Sequence, residues 1–202
     1  MYQPFFSIVI PSRDRDYLIH DLIWSILEQS FSDFEVIICD NSSNNLTQEV
    51  ISQFEDNRII NIRTGNLKMA DNWNVGINSV SGQYLMVISD KGFLKQGALS
   101  YLYDLIIEKK HKCITWNLDT FVLPNIFLKE ESNTNSIEVQ SSELIKYMLG
   151  ADWANFERAP MHCTSCVSME VIAEIKDKHQ NICNELNPDY IMAMQILLAI
   201  KS

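Results

Sequence analysis

The chain has 202 residues, and 47% of them are hydrophobic, which is enough for one sizeable core and disfavours a disordered chain. Sixteen basic and 26 acidic side chains give a formal net charge of −10. This charge argues against binding to nucleic acid or to an anionic membrane surface, because both need an excess of Lys and Arg to neutralise phosphates.

Export and membrane insertion are not predicted either. The longest apolar runs, such as residues 5–10 and 191–200, are far shorter than the ~20 residues that cross a bilayer. The N-terminus lacks the basic and apolar regions of a signal peptide. The five cysteines are an odd, scattered set, as in reduced proteins. We therefore expect a cytoplasmic protein.

The first half of the chain alternates strand and helix patterns at short intervals. Mostly apolar segments rich in β-branched residues predict strands at residues 6–10, 34–39, 58–62 and 84–88. Apolar residues at every third or fourth position predict helices at residues 16–27, 46–54, 69–80 and 97–109. Such units with short connections predict an α/β fold, with a mostly parallel sheet flanked by helices. Residues 1–110 are expected to form one half of the domain.

The pattern changes after residue 110, and residues 111–202 are expected to form a smaller, mixed half of the same domain. Strands are predicted at residues 113–117 and 120–123, and helices at residues 141–149 and 170–178. The last helix begins at Asn187-Pro188-Asp189, a capping residue followed by a proline and an acid suited to the first turn. This helix is still running near Ser202, which suggests either a truncated chain or a natural end within a helix.

Polar side chains follow three of the predicted strands, where open α/β sheets bind their ligands. They are Pro11, Ser12 and Arg13 after the first strand, Asp40 after the second, and Asp90 with Lys91 after the fourth. A carboxylate at position 40 can accept a hydrogen bond from a ribose hydroxyl or a base N–H. Asn74, in the helix before the fourth strand, is a further candidate. Each segment also fits an ordinary turn with solvated charges, so both interpretations stay open.

Together these segments resemble the inverting nucleotide-sugar glycosyltransferases of family 2, which have the GT-A fold. Residues 6–15 (FSIVIPSRDR) match the opening strand followed by Pro, Ser or Thr, a polar residue and Arg. Residues 29–43 (QSFSDFEVIICDNSS) match the next segment, which ends in Asp-Asn-Ser. Residues 74–77 and 82–85 are similar to the family's Asn-x-Gly-Ile and Gly-Glu-Tyr-Ile segments. The resemblance covers residues 5–100 and implies a GT-A-like, Rossmann-like sheet.

The resemblance implies a nucleotide-sugar site at Pro11, Ser12, Arg13, Asp40, Asn74, Asp90 and Lys91. In the family, an Asp-x-Asp motif after the fourth strand holds Mg²⁺ or Mn²⁺ against the donor diphosphate. Here the turn reads Asp90-Lys91-Gly92, so Asp90 is the one candidate metal ligand left. Three alternatives stay open. Asp90 with diphosphate oxygens and waters holds the metal, Lys91 replaces part of its charge, or the site no longer transfers sugar.

An inverting transfer also needs a general base that takes the proton of the acceptor hydroxyl. Similarity to the family's Pro-Asp-Tyr segment implies that Asp189 is this base, with Asp152 as the second candidate. The alternative for Asp189 is a helix cap. His162 is a candidate for the sugar pocket, with a structural histidine as its alternative.

The resemblance thus implies that residues 1–110 bind a nucleotide diphosphate sugar and that residues 111–202 face the acceptor. The acceptor would be a saccharide or lipid-linked saccharide in polysaccharide synthesis, in the cytoplasm or at the inner face of the membrane. One alternative is a binding module of the same fold with a decayed catalytic site. Another is a sugar nucleotidyltransferase, although residues 11–15 lack its glycine-rich loop. A homo-oligomer is an open option.

Overall fold

The computed structural model describes residues 3–118, 120–122, 126–129, 136–149, 159–160, 162–184 and 187–201. The strands of these residues are β1 (Phe6–Ser12), β2 (Phe34–Asp40), β3 (Ile59–Arg63), β4 (Tyr84–Val87), β5 (Cys113–Thr115), β6 (Thr120–Val122), β7 (Ile126–Lys129) and β8 (Ser165–Ser168). Their helices are α1 (Asp16–Leu27), α2 (Leu46–Ile51), α3 (Met69–Asn78), α4 (Ala98–Lys109), α5 (Ser141–Leu149), α6 (Met169–Lys178) and α7 (Pro188–Lys201).

The main sheet has six strands in the order β3-β2-β1-β4-β8-β5. The four strands of the first half are parallel to one another, as the sequence predicts. β8 comes from late in the chain and runs antiparallel to β4 and β5, which makes the sheet mixed. β7 and β8 were not predicted, because four residues such as Ser-Cys-Val-Ser are too few to show a hydrophobic period.

The sequence predicts that β1 ends before Pro11, but the strand continues to Ser12. Residues of a strand direct their backbone groups alternately to the two neighbours. The carbonyl of Val9 accepts from Ile88 on the β4 side, so Pro11 also faces that side. Pairing of β1 with β4 ends at Val9, and a proline beyond that point therefore interrupts no ladder.

The two faces of the sheet are covered by different helices, because successive strand residues point to opposite sides. Ile8 and Ile10 of β1 lie in one core, together with buried residues of α1 and α4. Val9 lies in the second core, together with buried residues of α3, α6 and α7. The result is a three-layer α/β arrangement.

Gly76 allows α3 to lie directly on the sheet. A Cβ atom at this position would be 2.4 Å from Cγ1 of Val9 and 2.9 Å from Sγ of Cys39. Both distances are shorter than real carbon contacts, so a larger residue would push α3 away from β1 and β2. This close approach explains the glycine of the segment at residues 74–77.

At the amino ends of the strands, the buried carboxylate of Glu35 joins β1, β2 and the turn before β4. It accepts hydrogen bonds from the Ser7 hydroxyl at 2.5 Å and from the N–H and hydroxyl of Ser81 at 2.6 and 2.9 Å. The N–H of Gly82 also donates to it at 3.2 Å. All of these donors are electrically neutral.

The second half of the chain contributes β5 and β8 to the main sheet and adds a small core between α5 and α7. Leu144 and Met148 of α5 lie in it with Ala193 and Leu197 of α7. The predicted start of α7 is confirmed: Pro188 is its first residue, and Oδ1 of Asn187 accepts the N–H of Tyr190 at 3.3 Å. Among the described residues, no helix is both long and apolar enough to cross a bilayer.

Candidate functional site

The carboxyl ends of β1 and β4 meet at a buried carboxylate. Asp90 lies just beyond β4, and its side chain is 1% exposed. Ser12, the last residue of β1, donates its hydroxyl hydrogen to Oδ2 of Asp90 at 2.9 Å. The guanidinium of Arg15 donates to Oδ1 at 2.9 Å and forms an ion pair. The structure thus brings Ser12 and Asp90 together and adds Arg15 to them.

The carboxyl ends of β2 and β3 meet at a second buried carboxylate. Asp40 lies opposite Arg63 in the register of these strands. Arg63 donates to Oδ2 of Asp40 at 2.5 Å and to the carbonyl oxygens of Ser42 and Asn44. The N–H of Ser42 donates to Oδ1 of Asp40 at 3.0 Å. Because Ser12 pairs with Asp40 across β1 and β2, the two carboxylate clusters are neighbours.

Asp14 joins the loop after β1 to the loop after β2. Its φ of 54° lies in the left-handed region, which Asp adopts more readily than most residues. Its carboxylate accepts the N–H of Ser43 at 2.7 Å and the Ser43 hydroxyl at 2.8 Å. These two bonds hold the pKa of Asp14 below its usual range. Its own N–H donates to Oγ of Ser42 at 2.9 Å. The strained backbone is therefore held in place by several bonds.

An open cavity of about 490 Å³ lies over these loops, within the range of about 300–1,000 Å³ that small-molecule sites occupy. It is lined by Arg13, Asn41, Ser42, Ser43, Arg63, Gly65 and Asn66. The amide of Asn41 donates to the carbonyl of Leu67 at 2.8 Å and accepts the Leu67 N–H at 2.7 Å. These two hydrogen bonds hold the loop after β3 against the loop after β2. Two guanidiniums among amides and hydroxyls suit an anionic ligand with many hydrogen-bonding groups.

The loop that carries Asp90 is held by Gln29, which follows α1. Nε2 of Gln29 donates to the carbonyl of Lys95 at 2.9 Å. Its Oε1 accepts the N–H of Leu99, in the first turn of α4, at 3.3 Å. The buried amide thereby satisfies one of the free N–H groups at the start of that helix. The glutamine of the segment at residues 29–43 thus positions the loop between β4 and α4.

The predicted base, Asp189, lies in the first turn of α7 and forms an ion pair with His162. The ring of His162 also lies against Trp73 of α3, with centroids 4.8 Å apart. Burial alone would lower the pKa of His162, but the Asp189 carboxylate and the Cys163 sulfur outweigh it and raise the pKa of His162 to about 10. His162 therefore carries a proton near neutral pH.

Cys163 connects this ion pair to the end of β4. Its N–H donates to the carbonyl of Val87 at 2.6 Å, and its Sγ accepts the N–H of Ser89 at 3.0 Å. Its φ of 65° is again in the left-handed region. Since His162 and Cys163 are consecutive, Asp189 lies at the same edge of the sheet as Asp90.

The surroundings of Asp90 do not fit a divalent cation held by side chains. Both oxygens of Asp90 already have partners, Ser12 and Arg15. Next in the chain, Lys91 is a positive charge and Gly92 has no side chain. In the part of the chain that the structure describes, no group of three or more His, Cys, Asp or Glu side chains could hold a metal ion. Mg²⁺ prefers about six oxygen ligands, with one or two carboxylates among them.

The remaining predicted residues have other positions. Pro11 lies inside β1, paired with Cys39. The Asn74 amide donates to the carbonyl of Cys183 at 2.9 Å and accepts its N–H at 3.0 Å, so it joins α3 to the segment before α7. Asp152 lies outside the described residues.

Lys91 and Arg13 are exposed at the same edge as the two carboxylate clusters. The sequence analysis missed Arg63 and Asn66 of this edge, and it included Arg15 in the matched segment at residues 6–15 without giving it a role. Arg63 ends a strand opposite Asp40, so extending the strand-end rule to β3 would have found it. Asn66 has a φ of 57° and accepts from Nη2 of Arg13 at 3.4 Å.

Comparisons with known proteins identify the family and the fold. The model of the family described as glycosyl transferase family 2 matches residues 7–166. The GalNAc(5)-diNAcBac-PP-undecaprenol beta-1,3-glucosyltransferase of Campylobacter jejuni is 34% identical over 103 residues, which are 49% of this chain and 33% of that protein. The aligned part therefore spans about a third of this curated relative's length.

Two solved structures share the fold. The structure of S. aureus TarS 1-349 has a TM-score of 0.70 at 17% identity, over 96% of this chain and 56% of that chain. The mannosyltransferase PcManGT from Pyrobaculum calidifontis, in complex with GDP-Man and Mn²⁺, has a TM-score of 0.64 at 12% identity, over 97% and 52% of the two chains. This likeness confirms the expected GT-A-like fold. Because the matched family model extends over most of the residues, the chain belongs to glycosyl transferase family 2.

Proposed function

We propose that the chain binds a nucleotide diphosphate sugar and transfers its sugar, with inversion, to an acceptor hydroxyl. One observation carries the proposal: the ends of β1, β2 and β4 converge on the neighbouring carboxylates of Asp40 and Asp90 beside a cavity with two guanidiniums. Membership of glycosyl transferase family 2 supports the reaction class.

The cavity over β1, β2 and β3 is the proposed site of the nucleoside. Asp40 would accept a hydrogen bond from the base or ribose, with Arg63 holding the buried carboxylate in place. Asn41 and Asn66 would supply neutral hydrogen-bonding groups, and Arg13 would face the phosphates. The diphosphate would then extend from this cavity towards Ser12 and Asp90.

Asp189 is the proposed base. An acceptor hydroxyl attacks the anomeric carbon from the side opposite the leaving diphosphate, and a carboxylate on that side takes the proton. Because Oδ1 of Asp189 contacts His162, we assign Oδ2 as the atom that takes the proton of the acceptor hydroxyl. The linkage through Cys163 to the end of β4 supports a position close to the proposed donor site.

A saccharide or lipid-linked saccharide is the proposed acceptor, in the synthesis of a cell-surface polysaccharide. The printed name of the C. jejuni relative contains a diphospho-undecaprenol substrate, which supports a lipid-linked acceptor. A protein that meets such a lipid would work in the cytoplasm at the inner face of the membrane. The net charge of −10 supports the expectation that nucleic acid is not a ligand.

Nucleotide binding tests the proposal directly. Titration calorimetry with UDP-, GDP- and TDP-sugars should show binding of at least one donor. Asp40→Asn should weaken that binding by about 10-fold or more, because a hydrogen bond to a charged group is worth about 1.5–3 kcal/mol. Asp104→Asn, on the exposed side of α4, is the matched control and should bind like the wild type.

Circular dichroism should confirm that both variants are folded. The proposal is wrong if none of the donors binds, or if Asp40→Asn and Asp104→Asn bind equally well.

Gly92 favours a second candidate function, a donor-binding module that no longer transfers sugar. The acidic residue expected there is missing, although a Cβ atom at position 92 would make only ordinary contacts, the nearest at 3.4 Å to the Ser89 carbonyl. Turnover of a bound donor separates the two functions. Release of free nucleotide by the wild-type protein supports an enzyme. Turnover that appears only in Gly92→Asp supports the decayed module.

A further inference from the structure

We propose that Arg15 takes the place of a divalent cation at Asp90, so that the chain binds its donor's diphosphate without a metal ion. This inference rests on the proposed function, because it concerns the same donor. It goes beyond that function by naming the group that supplies the positive charge.

The first observation is that Asp90 is already satisfied. Its carboxylate is buried, accepts the Ser12 hydroxyl on one oxygen, and pairs with Arg15 on the other. A metal ion bound to this carboxylate would lie next to the Arg15 guanidinium, and the two positive charges would repel each other. Lys91, the neighbour in sequence, adds a positive charge that repels a second cation, and Gly92 supplies no ligand.

The second observation is the asymmetry of the pair. The side chain of Arg15 is 40% exposed, whereas that of Asp90 is 1% exposed. Arg15 therefore lies between the buried carboxylate and the solvent, and part of its side chain is exposed. A guanidinium has several N–H donors in a planar arrangement that suits phosphate oxygens, and the pair with Asp90 uses only Nη1.

The third observation is that the backbone holds Arg15 in place. Its carbonyl accepts the N–H groups of Leu18 and Ile19, at the start of α1, at 3.0 and 3.3 Å. Asp90 then fixes the side chain from the opposite loop. A cation whose position is set before the ligand arrives binds an anion at a lower entropic cost than a mobile lysine.

The Arg15–Asp90 pair therefore works as one unit. Without Arg15, the Asp90 carboxylate would repel a diphosphate. With Arg15 the pair is neutral, Arg13 is balanced by Asp14 at 3.9 Å, and Lys91 leaves one excess positive charge at the exposed edge. We assign the diphosphate to the outer face of the Arg15 guanidinium, between the cavity and the end of β4.

The test measures UDP and GDP binding by calorimetry, once in EDTA and once in MnCl₂. The dissociation constants should agree within about 3-fold in the wild type. Arg15→Gln should weaken binding in EDTA by about 10-fold or more, the loss expected for a charge-assisted phosphate contact. Arg58→Gln is the matched control, because Arg58 pairs with Asp56 beside the amino end of β3, and it should leave binding unchanged.

Removing Arg15 leaves a buried carboxylate without its cation and could unfold the protein. The double variant Arg15→Gln/Asp90→Asn removes both charges, and we expect it to be folded and to bind the nucleotide as weakly as Arg15→Gln. Electron paramagnetic resonance of added Mn²⁺, without nucleotide, gives a second readout. We expect the wild-type protein to leave the spectrum of free Mn²⁺ unchanged.

The outcomes separate this inference from the proposed function. Nucleotide binding that is at least 10-fold tighter in MnCl₂ than in EDTA, or stoichiometric Mn²⁺ binding without nucleotide, overturns the inference and leaves the proposed function intact. Failure of every nucleotide to bind under both conditions overturns the proposed function, and the inference with it.

Discussion

Both ends of the parallel strands bury carboxylates, but they hold them differently. At the amino ends, Glu35 is held by hydroxyl and N–H groups that are themselves neutral and buried or half-buried. At the carboxyl ends, Asp90 is paired with Arg15 and Asp40 with Arg63, and the two arginine side chains are 40% and 35% exposed. The first end is closed by its own hydrogen bonds. The second presents cations to the solvent, so it can exchange hydrogen bonds with an anionic ligand.

The largest effect on stability is expected at the closed end. Glu35→Ala removes the acceptor of donors on Ser7, Ser81 and Gly82, and buried donors without partners cost about 1–3 kcal/mol each. We expect the free energy of unfolding in urea to fall by about 3 kcal/mol. Glu49→Ala, at an exposed position of α2, is the control and should change it by less than about 0.5 kcal/mol. Equal losses in the two variants would remove the distinction between the two ends.

A smaller, pH-dependent effect is expected at His162. The folded pKa is raised above the unfolded value of about 6.5. The ion pair with Asp189 should therefore contribute its full stability below pH ~6.5 and lose it as pH rises towards ~10, because the folded state binds more protons in that window. His162→Gln should cost about 1.5 kcal/mol at pH 6 and progressively less at higher pH. The difference in Tm between wild type and variant, followed from pH 6 to pH 9, measures this. A difference that is constant or grows with pH would contradict the ion pair.

The smallest effect is expected at the turn after β4. Gly92 has no positive φ, and an added Cβ atom would meet only ordinary contacts at 3.4 Å and beyond. Gly92→Ala should therefore change the free energy of unfolding by less than about 0.5 kcal/mol. A loss similar to that of Glu35→Ala, measured in the same urea titrations, would show that the open end is as tightly built as the closed one.

Much of the first half could be predicted because its strands are long and apolar. Residues 34–39 are hydrophobic except for Glu35, and the strand seen there, β2, extends this segment by a single residue. The end of β1 shows the limit of such patterns. Proline is read as a strand breaker, but at position 11 it faces a side where pairing has already ended, and that depends on the neighbouring strand.

The candidate site was predictable in outline and not in its pairings. Strand ends singled out Ser12, Asp40 and Asp90, because parallel strands all deliver their carboxyl ends to one edge. Lys91 was considered as the charge that replaces a metal ion. The structure instead pairs Asp90 with Arg15, 75 positions away in the chain. No spacing rule relates residues that far apart.

The second half shows the same division. Asn187 and Pro188 predict the start of α7, because capping is a local interaction between a side chain and the next backbone N–H groups. The contact of Asp189 with His162, and the place of β8 between β4 and β5, are not local. The sequence alone therefore determined the elements, the α/β class and the edge of the sheet where polar groups collect. Only the tertiary structure decided which charges meet, because long-range packing sets the partner of each buried carboxylate.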